Sequence, residues 1–165
     1  MYNKRIQFLV SCIFLTLVGL SNCSEKKVIE KIIGTSKELE EKCAKNNYKA
    51  CTSVGVRKAF GTWGYQKDYP SAVTFMKKGC DGKDYQGCKE LGVMYMYGRG
   101  VEKDYAKAKE LFEPACAKEI ANACHYIGDF YKYGRGFAKD LETAKKYYQK
   151  ACDAGSKSSC KLAEE

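Results

Sequence analysis

Thiols are the distinctive reactive groups of this 165-residue chain. Eight of its ten cysteines stand in four pairs of one spacing: Cys43/Cys51, Cys80/Cys88, Cys116/Cys124 and Cys152/Cys160. Within a pair the second cysteine follows eight residues after the first, and from pair to pair the first advances by 37, 36 and 36 residues. Paired thiols can oxidise to a disulfide or hold a soft metal ion. Seven intervening residues suit no common zinc knuckle, and His125 is the sole histidine, so a mixed cysteine–histidine site in every copy is impossible. Disulfides within each pair are the stronger reading. Closing so short a loop contributes about 2.5 kcal/mol in the chain-entropy account.

Other chemistry has thinner support. A lysine-activated serine uses Ser-x-x-Lys, which occurs at Ser24/Lys27 and Ser158/Lys161. Neither match has a Ser-Asp-Asn or Lys-Thr-Gly companion, and chance supplies one or two in a chain this rich in lysine. A metallo-hydrolase would need several histidines. The residues therefore assign no catalytic group, metal or cofactor. His125, directly after Cys124, reads as a packed or solvated side chain rather than a general base. Arg99 and Arg135 recur between glycines at equivalent turns and are expected to line one edge. Guanidinium groups suit carboxylates; solvated turn residues are the plain alternative.

Those residues must be positioned by something that repeats. A period of 20 to 50 residues marks a solenoid, and the copies here span about residues 51–80, 88–116 and 124–152. After the leading cysteine comes an apolar residue (Val54, Leu91, Ile127), then glycine (Gly55, Gly92, Gly128), then an aromatic (Phe60, Tyr97, Tyr133). A glycine turn follows: Gly98-Arg99-Gly100, Gly134-Arg135-Gly136, and the one-residue-longer Gly61-Thr62-Trp63-Gly64. Asp68, Asp104 and Asp140 are good N-caps for a second helix. Ala72, Ala108, Ala144 and the large apolar residues after them trace one helical face. Each copy is thus two antiparallel helices, and the fold class is all-α. Residues 36–44 read as a partial leading helix with Thr35 and Glu38 in capping-box spacing. Residues from Cys160 read as a short last one. Pro114, inside the second helix of its copy, predicts a kink or an early end.

Residues 1–22 read as a signal peptide. Lys4 and Arg5 precede an apolar run from Ile6 to Leu20 that is too short to span a bilayer. Leu20-Ser21-Asn22-Cys23 is similar to a lipobox, in which Cys23 would be lipidated and attach the chain to a membrane. Cleavage after Ser21 and free secretion is the alternative. Cys12 would leave with the signal peptide, so Cys23 is the thiol left over once four pairs form, and an odd thiol in an exported protein asks for an explanation. Residues 23–35 are then a linker and 36–165 the solenoid. Export also supplies the oxidising compartment that disulfides need.

Leu91-Gly92, Tyr95, Gly98-Arg99-Gly100-Val101, Lys103-Asp104-Tyr105 and Ala108, echoed by Ile127-Gly128, Tyr131, Gly134-Arg135-Gly136 and Lys139-Asp140, resemble Sel1-like repeats, relatives of the tetratricopeptide helix pair. The eight-residue cysteine spacing is similar to that of the Helicobacter cysteine-rich protein family. The resemblance covers about residues 36–165. It implies an exported, right-handed solenoid with four disulfides, in a family classed as penicillin-binding proteins and weak β-lactamases. A β-lactam or a peptidoglycan peptide would then be the ligand. Residues alone favour a scaffold holding a protein or peptide partner in the groove.

The net charge of +9 includes Lys4 and Arg5, and the remaining basic residues are interspersed with twenty acidic ones. With no dense basic block, an exported chain of this kind does not read as a nucleic-acid binder. Attraction to anionic envelope polymers is the weaker inference.

Overall fold

The computed structural model describes residues 23–164, with side chains from residue 34 onward. The described residues form eight helices and no strands: α1 (Cys23–Ala44), α2 (Tyr48–Phe60), α3 (Tyr69–Asp81), α4 (Tyr85–Tyr97), α5 (Tyr105–Ala117), α6 (Ala121–Tyr133), α7 (Leu141–Asp153) and α8 (Lys157–Glu164). Each packs on the next in chain order, so helix pairs stack into a solenoid.

The helix ends follow from local chemistry. α2, α4 and α6 stop at Gly61, Gly98 and Gly134, whose φ values of 66°, 67° and 65° are left-handed and free of the Cβ penalty only in glycine. The chain then extends into Asp68, Asp104 and Asp140. Each carboxylate accepts the amide three residues on, from Ser71, Lys107 and Thr143, at 2.9 to 3.1 Å. The amides of the same aspartates donate back to Lys58, Tyr95 and Tyr131, closing each turn.

Within a unit the two helices lock by a hole and a knob. A Cβ on Gly55 would stand 2.7 Å from Met76 Cγ, one on Gly92 2.5 Å from Phe112 Cε1, and one on Gly128 2.6 Å from Tyr148 Cε1. Met76, Phe112 and Tyr148 are correspondingly buried. Removing a side chain of this size from water contributes about 1.5–3 kcal/mol. Ala72, Ala108 and Ala144 are buried on the same helices.

Disulfides join Cys43–Cys51, Cys80–Cys88, Cys116–Cys124 and Cys152–Cys160, with Cα atoms 4.5 to 4.7 Å apart. Each ties the end of one helix to the start of the next, across a loop holding one left-handed residue: Asn46, Lys83, Glu119 or Gly155.

Three expectations differ from what is found. α1 begins at Cys23 and runs through the segment read as a linker, so Thr35 lies inside a helix and cannot be its N-cap. Val28, Ile29, Ile32 and Ile33 recur at helical spacing there, and Gly34 alone does not interrupt the run. α5 does not end early: it continues through Pro114 to Ala117, as long as its counterparts. Pro114 faces solvent, where water can satisfy the carbonyl that its ring deprives of a donor. The last helix starts at Lys157 rather than at Cys160. The signal peptide lies outside the described residues, as do the side chains of Ser24, Lys27 and Cys23. No helix among the described residues is long and apolar enough to cross a membrane.

Candidate binding site

Arg99 and Arg135 are exposed at the glycine turns, each stacked on the aromatic ring two residues before it. Arg99 Cζ lies 5.0 Å from the Tyr97 ring and 5.9 Å from Tyr69; Arg135 Cζ lies 5.0 Å from Tyr133. They occupy equivalent places one unit apart, and neither lines the cleft described below.

His125 is drawn into a polar group at the C-terminal end. Its Nδ1 is 2.9 Å from Ser159 Oγ, which is also 2.8 Å from Ser156 Oγ; its Nε2 is 3.8 Å from Asp129. Tyr148 donates to the same Asp129 carboxylate at 2.7 Å. Serine, histidine and aspartate in this order invite comparison with a nucleophilic triad. Ser159 is 0% exposed, however, and its hydroxyl is shared with Ser156. A nucleophile must be reachable, so this group is a clamp holding α8 to α6. The exposed Ser158 and Lys161 on α8 have no hydrogen bond to one another among the described contacts. Among the described residues, no three His, Cys, Asp or Glu side chains form a metal-binding group.

A cleft of about 380 Å³ opens between α2 and α4, under the longer turn of the first unit. Its walls carry Thr52, Val56, Arg57, Trp63, Gln86 and Glu90. The turn that roofs it is pinned from outside the repeats. Ser36 on α1 donates its hydroxyl to the carbonyl of Trp63, and Tyr65 donates to the carbonyl of Ser36 at 2.9 Å. Burial, reinforced by the Glu40 carboxylate, raises the Tyr65 phenol above its ordinary range, with Arg57 opposing. Trp63 has φ 57° and is 61% exposed. The left-handed region is rare for a bulky side chain.

Arg57 is half-buried, its guanidinium 5.4 Å from the centre of the Trp63 ring. Among the described residues it makes no ion pair, whereas Glu90 is paired with Lys89. Thr52 is 6% exposed and its Oγ1 has no hydrogen-bond partner in the structure. That hydroxyl is wedged between helices: a Cβ on Gly79 would stand 2.2 Å from it, and one on Gly87 2.5 Å. The other units place Ala115, Ala151, Ala123 and Ser159 at the matching positions.

The longer turn stands out in the sequence, whereas Thr52, Arg57 and Gln86 carry no motif of their own. A signal was available in the repeat register. Arg57 stands where the other units have Met94 and Phe130, both buried.

The Sel1 repeat matches residues 49–84, 86–119 and 121–156. Among solved structures, the chain is similar to c5321, a protective antigen of uropathogenic Escherichia coli with an SLR fold (TM-score 0.71, 27% identity, 75% of this chain and 26% of that one). It is also similar to a Sel1 repeat protein from Oxalobacter formigenes (0.67, 26%, 78% and 96%). A third is Helicobacter pylori cysteine rich protein B (0.63, 25%, 82% and 96%). The chain thus spans about a quarter of the first and nearly all of the other two. No curated protein sequence matches it.

Proposed function

The chain belongs to the Sel1 repeat family, and we propose that it is a non-catalytic scaffold of an oxidising, extracytoplasmic compartment, holding a protein or peptide partner against α2 and α4. The observation that carries this is the cleft between those helices, where the half-buried Arg57 makes no ion pair among the described residues. A partially desolvated charge is costly when unpaired, and an incoming ligand can pair it. Sel1 repeat proteins generally mediate protein–protein interactions. Four disulfides and the likeness to Helicobacter pylori cysteine rich protein B support the compartment. Export by a signal peptide and attachment through a lipidated Cys23 complete this reading; the mass of the mature, unreduced protein tests both.

A photo-crosslinking amino acid placed at Ser53 or Gln86, on the cleft, is expected to capture a discrete polypeptide from envelope extract. The same group at Lys145 on α7 is expected to capture none. Turnover of a chromogenic β-lactam by the purified protein, without cleft-specific capture, would overturn the scaffold reading in favour of the hydrolase that the resemblance implies.

A further inference from the structure

We propose that the cleft between α2 and α4 recognises the carboxy-terminus of an extended peptide, Arg57 pairing with the terminal carboxylate and Trp63 covering the last side chain. Resting on the scaffold reading above, this names its ligand.

The first unit departs from the other two at several positions, and the departures converge here. Arg57 replaces buried Met94 and Phe130, Thr52 replaces Lys89 and His125, and the longer turn brings in Trp63. A repeat tolerates such changes at random only on its exposed surface. Here a charged group occupies a position that the repeat otherwise fills with apolar core. Its attachment within the protein is the Trp63 ring at 5.4 Å. A half-buried guanidinium with no ion pair is complementary to a carboxylate, which it can grip with two parallel N–H donors.

The neighbouring groups narrow the class. Among the described residues Glu90 is paired with Lys89, and the charge lining the cleft that has no ion pair is the positive one of Arg57. One cation suits a ligand with one carboxylate rather than a polyanion. Val56 and the exposed Trp63 offer apolar surface beside the guanidinium, and the Gln86 side-chain amide can donate to and accept from a peptide unit. Carboxylate, apolar side chain and amide in succession describe a peptide end. Trp63 is held for this role rather than left loose: its carbonyl is fixed by Ser36, and its left-handed backbone is retained without glycine. A volume of about 380 Å³ lies within the range of small-ligand sites, about 300–1,000 Å³.

Trp63 is the sole tryptophan of the chain, so its emission reports on the cleft directly. The oxidised, full solenoid would be titrated with a pool of N-acetylated pentapeptides, randomised at four positions and ending in Phe, Leu or Ala. The same pool as C-terminal amides, and N-acetylphenylalanine, would be titrated alongside. The free-acid pool is expected to change the emission saturably, the amides at least tenfold more weakly. Arg57→Met, which installs the residue of the second unit, should lose the free-acid response at least tenfold while melting no lower. Arg57→Lys should lose less, and Arg135→Met nothing. Equal response to acid and amide, no response to either pool, or full binding by Arg57→Met would overturn the assignment. N-acetylphenylalanine binding as tightly as the pentapeptides would assign a small carboxylate instead and overturn the peptide. Cleft-specific crosslinking without acid-over-amide preference would leave the scaffold standing and remove only this inference.

Discussion

Gly92 on α4 lies against one edge of the ring of Phe112 on α5, close enough that a Cβ would sit 2.5 Å from Cε1. Phe112 is fully buried and also meets Tyr126 and Phe130 of the next unit, at 5.2 and 5.9 Å between ring centres. The glycine therefore sets how closely one pair approaches and where the next pair sits. Gly92→Ala should cost about 1–3 kcal/mol by overpacking. Gly34→Ala, in α1 with nothing within 4 Å of the added methyl, should instead gain up to about 1 kcal/mol. Urea midpoints of the two variants check the contrast.

Removing one bridge, by Cys116→Ala with Cys124→Ala, should lower stability by about 2.5 kcal/mol. Each bridge acts between neighbouring helices. Amide exchange should accordingly rise most in α5 and α6, and a uniform rise along the solenoid would contradict the repeat picture.

Thr52→Val replaces an unpartnered buried hydroxyl with a methyl of nearly the same size. Stability should increase by about 1–2 kcal/mol, because the desolvation cost of the hydroxyl disappears. A lowered urea midpoint would show that Thr52 is satisfied in solution.

The Thr143 hydroxyl and amide hold the Asp140 carboxyl below the ordinary carboxylate range. A folded value below the unfolded one means the cap stabilises fully above the unfolded pKa, about 4. That stabilisation disappears as pH falls through the lower, folded value. The protection of the Thr143 amide, its exchange rate relative to an unstructured amide at the same pH, should therefore fall on acidification in this window. Asp140→Asn caps without titrating, so its profile should be flatter.

His125→Ala removes the contact from α6 to Ser159. Residues 157–164 should exchange faster while the rest of the solenoid melts as before. An unchanged α8 would mean that the Cys152–Cys160 bridge alone holds it.

The cysteine pairings, the aspartate caps and the glycine turns were legible because they are local. A cysteine meets another eight residues away, an aspartate caps an amide three residues on, and a glycine takes the left-handed bend at its own position. Pro114 misled for the opposite reason. Its effect depends on which face of α5 meets water, and only the packed structure says so.

What the chain order determined by itself was a stack of helical hairpins joined by disulfides. What only the tertiary structure decided was where that stack is unlike itself. Ser36 reaches Trp63 across 27 residues, His125 reaches Ser159 across 34, and the Thr52 hydroxyl fills space that Gly79 and Gly87 leave open. Such contacts depend on the distance at which neighbouring units settle. That distance is set jointly by many side chains in van der Waals contact, so no single spacing in the sequence encodes it.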